Sequence, residues 1–136
     1  MTAALLALLM TMKPLLLGDA GPEAKLVVET TQVREHGAGS AMARQVRASG
    51  EALLRAAEVA QVAAEGSSDL VVEVSIRTLR GRDIGYSSTV ALLQGGRRMA
   101  VERTRCTLCT EGEAVAAVQK TLAGLAPRLH ALAHGV

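Results

Sequence analysis

Both cysteines of this 136-residue chain lie in one tetrapeptide, Cys106-Thr107-Leu108-Cys109. Two thiols at that spacing can close a local disulfide, work as a thiol–disulfide redox couple or supply two ligands to a metal. Redox use needs a depressed thiol pKa, and a helix N-terminus provides it because the backbone dipole favours the thiolate. Cys109 directly precedes Thr110, the expected cap of a helix, so the position suits that chemistry. Against it, Glu102, Glu111 and Glu113 lie close in sequence and favour the protonated thiol. The pair also follows the last expected strand, whereas thioredoxin-like folds carry theirs after an early one. The chain has no Trp to precede the pair and no proline suited to the cis turn that faces it in those folds.

A zinc site is the other reading. Cys106 and Cys109 followed by His130 and His134 have the look of a two-Cys, two-His ligand set. The intervening segment reads as helix, and 21 helical residues at about 1.5 Å each would hold the two pairs roughly 30 Å apart. Only a reversal at Gly124 or Pro127 would bring them together, so no metal ligand and no cofactor is expected. His130 and His134 are expected to be exposed near a fraying C-terminus. The remaining reading of Cys106 and Cys109 is a structural disulfide in an exported protein, with redox chemistry as the alternative.

Two further motifs are weaker. His36-Gly37-Ala38-Gly39-Ser40 follows a strand and precedes a helix, as phosphate-cradling loops do. Met42 occupies the place of the third glycine of the dinucleotide fingerprint, and no Lys-Ser or Lys-Thr pair follows, so the segment reads as a turn. Three scattered histidines and no Gly-x-Ser-x-Gly leave hydrolase chemistry without a nucleophile–base set.

Composition narrows the classes further. Tyr86 is the only aromatic residue, so a core must be packed from Leu, Val, Ala and Met, and stacking platforms for single-stranded nucleic acid are absent. The formal charge is +2, and its densest basic group is Arg97, Arg98, Arg103 and Arg105. Strict strand alternation places Arg103 and Arg105 on one face and Arg98 on the other, a solvated surface rather than a phosphate track. No nucleic-acid partner is expected.

The first twenty residues bear on compartment. Ala3 to Met10 is an apolar run too short to cross a bilayer, and Gly18-Asp19-Ala20 places small residues ahead of Gly21 as a signal cleavage site requires. No positive residue precedes the run, and Lys13-Pro14 interrupts it before Leu15-Leu16-Leu17. The expectation is a signal peptide over residues 1–20, a single domain over 21–136, a periplasmic or secreted location and no membrane span in the mature chain.

Along that domain, Leu26 to Val33 is β-branched and reads as the first strand. Ser40 is the expected cap of a helical stretch reaching Ala64, divided at Ser49-Gly50. Val72, Val74 and Ile76 alternate with polar residues as the next strand, and Ile84 to Leu93 follows after a turn at Arg80-Gly81-Arg82-Asp83. Gln94-Gly95-Gly96-Arg97 is a hairpin turn leading to a fourth strand that ends at Cys106. Val115, Val118, Leu122, Leu125, Leu129 and Leu132 then make one helical stripe, with a capping box at Thr110 and Glu113 and a break near Pro127. The order β-α-β-β-β-α predicts an α+β fold: a four-stranded mixed sheet with helices on one face.

This order resembles the amino-terminal domain of TolB and the related CsgG-like periplasmic α/β domains. The resemblance rests on Ala48-Ser49-Gly50 within the helical stretch, the junction Gly66-Ser67-Ser68-Asp69 before the strand Leu70 to Val74, the Gln94-Gly95-Gly96 hairpin and the closing amphipathic helix. It spans residues 26 to 133. It departs from the family where Leu53 stands near a position that family fills with Phe, and the β-propeller of TolB is missing. The resemblance implies a non-catalytic cell-envelope binding or assembly domain with a protein partner, and it transfers no functional residue.

Overall fold

The computed structural model describes the backbone of residues 21–31, 37–79 and 85–135, and their side chains except at 31 and 37–40. The expected signal peptide over residues 1–20, His36, residues 32–33 and the turn at 80–84 lie outside the described residues.

Alternation of apolar and polar residues builds the centre of the sheet. Strand β3 (Leu70–Thr78) sends Leu70, Val72, Val74 and Ile76 to one buried side, while the residues between them stay partly open. Strand β1 (Glu23–Thr31) pairs parallel to it, from Lys25 opposite Val71 to Thr31 opposite Arg77. Parallel neighbours need a crossover, and helix α1 (Gly37–Ala56) provides it. β3, β4 (Gly85–Gln94) and β5 (Arg97–Thr107) then form an antiparallel meander. At the tight turn between β4 and β5, Gly95 and Gly96 both have positive φ (60° and 81°), the conformation that makes glycine the residue of choice in two-residue hairpins.

Among the described residues the sheet has five strands rather than four, in the order β2-β1-β3-β4-β5. The additional strand β2 (Ala60–Gln61) has two residues and pairs parallel to the start of β1. Nothing so short has a hydrophobic period to read.

Helix α1 differs from expectation at three points. It begins at Gly37, ahead of Ser40; it runs without a break through Ser49-Gly50; and it stops at Ala56 rather than near Ala64. Gly50 lies on the buried stripe with Met42, Val46, Leu53 and Leu54, and a Cβ there would sit 2.7 Å from a methyl of buried Leu26. That glycine marks close helix–strand approach, not a helix boundary. The helix ends in paired reversed hydrogen bonds, from the Glu58 N–H to the Arg55 carbonyl (3.0 Å) and from the Val59 N–H to the Leu54 carbonyl (2.9 Å). This is the Schellman arrangement, in which the residue after the cap is left-handed and is usually glycine. Here it is Glu58, with φ 60°.

Helix α2 (Glu111–Gly124) opens with both bonds of the capping box: the Glu113 N–H donates to Thr110 Oγ1 (3.1 Å), and the Thr110 N–H donates to Glu113 Oε1 (2.8 Å). The chain breaks at Leu125, and helix α3 (Ala126–His134) restarts with Pro127 in its first turn, where a missing N–H leaves no helical bond unmade. Val115, Val118, Leu122, Leu125 and Leu129 are all buried, and Leu132 packs against them. They share one core with α1 and the inner side of the sheet, so among the described residues the helices cover a single face.

Strand β5 carries a correction on the open face. A bulge between Leu92 and Leu93 makes Ala100 the partner of Leu92 and Arg98 the partner of Leu93, with Met99 as the extra residue. Directly opposed residues share a face. Arg98 therefore stands on the same face as Arg103 and Arg105, not on the opposite one.

Candidate functional site

The cysteine turn joins β5 to α2. Cys106 pairs with Tyr86 near the end of β5, and Cys109 immediately precedes the Thr110 cap. Their sulfurs are bonded, with Cα atoms 5.9 Å apart. Inside the closed ring Leu108 has a left-handed backbone (φ 57°), and it is the large hydrophobic residue most open to solvent among the described residues, at 81% exposure. The start of β4 crowds this turn. A Cβ on Gly85 would collide with the Cys106 carbonyl oxygen, so glycine is what permits the two strands to close there.

Bonded sulfurs carry no thiolate, so the turn in this state neither ligates a metal nor attacks as a nucleophile. Glu111 and Glu113 occupy the first turn of α2, where carboxylates complement the helix dipole. Burial pushes the Tyr86 phenol above its usual pKa, and the Glu111 carboxylate adds to the shift.

His130 and His134 do not project from a fraying end. Both are half-buried on α3, their rings stacked with centroids 4.3 Å apart. His134 Nε2 lies 3.1 Å from the carbonyl oxygens of Ala57 and Glu58, at the end of α1 where carbonyls lack helical donors. Carbonyls only accept, so Nε2 is the donor in both contacts. His130 Nε2 lies 3.5 Å from Glu58 Oε1. One ligand-type atom from each of Glu58, His130 and His134 falls within 4.8 Å of the others. The helical spacing of the two histidines was visible in the sequence. Glu58 was not, because it reaches them only through the packing of α3 on the end of α1.

A third feature is an apolar groove of about 340 Å³ between α1 and the α2–α3 pair, bordered by Ala52, Leu53, Ala56, Ala123 and Ala126. Among the described residues, no helix is long and apolar enough to cross a membrane.

No protein-family model matches the chain, and no curated protein matches it. Among solved structures, the chain is similar to a PelC dodecamer variant from Paraburkholderia phytofirmans, at 17% identity over 81% of this chain and 87% of that one, with a TM-score of 0.44. It is also similar to a DUF330 protein from Xanthomonas campestris, at 17% identity over 82% of each chain, with a TM-score of 0.35. Neither bears the TolB or CsgG name.

Proposed function

We propose that this protein is an exported, cell-envelope domain that acts by binding a protein partner and has no catalytic activity of its own. The observation that carries the reading is the Cys106–Cys109 disulfide. Such bonds persist in oxidising compartments and are rare where glutathione and thioredoxin keep thiols reduced. The bond also closes the ring that presents Leu108, and an apolar side chain held out from a constrained turn suits recognition of an apolar pocket. The parallel β1–α1–β3 unit, the meander and the closing helices follow the order that the TolB and CsgG-like resemblance implies.

Thiol–disulfide exchange is the second reading, favoured by the place of Cys109 just ahead of the α2 cap. The reduction potential separates the two. A value below about −300 mV is expected for a structural bridge, whereas one between about −120 and −270 mV would make the pair an exchange centre and overturn the binding-only reading. Sequencing the N-terminus of the native protein tests export independently: the expected mature chain starts at Gly21, and a retained Met1 removes that support.

A further inference from the structure

We propose that Glu58, His130 and His134 form a binding site for a divalent transition-metal ion of the zinc, nickel or copper class. Two imidazoles and a carboxylate suit these ions, while the hard cations magnesium and calcium select all-oxygen sets. His130 and His134 are four residues apart on α3, which puts both rings on one face of the helix. Ligands bound at roughly 2.0–2.1 Å around a tetrahedral ion stand about 3.4 Å from one another. His130 Nε2 and Glu58 Oε1 are 3.5 Å apart, and the three ligand-type atoms already gather within 4.8 Å.

Two independent observations point the same way. A metal-bound histidine usually donates its other ring N–H to a carbonyl or carboxylate, which fixes the ring and its tautomer. His134 Nε2 makes such bonds to the carbonyls at the end of α1, which seats its ring, and a turn of the stacked His130 and His134 rings aims both at one ion. Glu58 is the second observation, because stability alone does not favour it there. Its left-handed backbone (φ 60°) occupies the Schellman position that glycine fills at least cost. Its negative charge also faces the negative end of the α1 dipole. An ion shared with His130 and His134 offsets that charge and gives the strained residue a use. With its side chain 75% exposed, Glu58 leaves the remaining coordination positions open to water or to a partner's ligand.

The test is calorimetric titration of the untagged full chain with Zn²⁺, repeated with Co²⁺, whose visible absorption reports the ligand geometry. One ion per chain is expected, with at least tenfold weaker binding in His130→Ala and Glu58→Gln, and unchanged binding in the control His36→Ala. Glu58→Gly gives a readout that a purely structural role would not: a higher melting temperature without metal, together with loss of Zn²⁺ binding and of the Zn²⁺-dependent rise in melting temperature. His134→Gln keeps a donor for the α1 carbonyls while removing the imidazole, so weakened binding in a chain that still folds is expected. The proposal is overturned if the wild-type chain shows no saturable one-to-one binding, or if either Glu58→Gly or His130→Ala binds Zn²⁺ as tightly as the wild type.

Discussion

Tyr86 reports on the cysteine turn from one strand away. It stands opposite Cys106, and its phenol is shifted upward first by burial and then by the Glu111 carboxylate. A raised pKa means that the folded chain holds the proton more tightly than the unfolded one. The corresponding stability is complete below the ordinary value of 10.0 and disappears as pH rises through the folded-state value. The stability difference between wild type and Tyr86→Phe should therefore be constant up to about pH 10 and move in favour of Phe above it. Urea midpoints of the two proteins at about pH 8 and pH 11 measure this, and a difference that stays constant between them would show that folding does not raise the phenol's pKa. Tyr86 is the only aromatic residue, so ultraviolet titration reads it without overlap.

At the scale of elements, α1 shows packing overriding propensity. Replacing a mid-helix glycine with alanine ordinarily stabilises by about 0.5–1 kcal/mol. At Gly50 the added methyl would stand 2.7 Å from Leu26, itself 5% exposed and so without room to retreat. Overpacking costs about 1–3 kcal/mol. Gly50→Ala is expected to be net destabilising by about 1 kcal/mol, read as a lower urea midpoint with an unchanged slope. A stabilised variant would mean that α1 and β1 are not in close contact at this position. The capping box of α2 and the Cys106–Cys109 ring act on the next junction. The ring is so short that its closure restricts the unfolded chain by roughly 2 kcal/mol at most, so it pins the turn more than it holds the fold.

Across the described residues the molecule is one layer of helices on one face of a mixed sheet, and its integrity depends on elements far apart in the chain. Leu129 is fully buried although it lies in a nine-residue helix that restarts after a break. It joins the same cluster as Leu54 of α1 and Val74 of β3. Leu129→Ala should therefore cost about 2–5 kcal/mol, the range for a core leucine, and lower a single cooperative transition. If α3 were an appendage, circular dichroism would show a loss under about 1 kcal/mol or a separate early transition.

Local patterns were enough for most elements. The alternation of Val72, Val74 and Ile76, the Gly95-Gly96 turn, the Thr110–Glu113 box and the Val115-to-Leu132 stripe each act within a few residues, so the sequence by itself determined the α+β class, the hairpin, the closing helices and the placement of Cys106 and Cys109 in one turn. The features it did not determine depend on contacts across the chain. Strand β2 exists only because β1 offers an edge, Gly50 continues a helix because Leu26 lies beneath it, and the β5 bulge turns Arg98 toward Arg103 and Arg105. The approach of Glu58 to His130 and the seating of His134 on the α1 carbonyls are also tertiary. The separation of 72 residues between Glu58 and His130 carries no periodic signal, and only the docking of α3 against the end of α1 brings a carboxylate to two imidazoles.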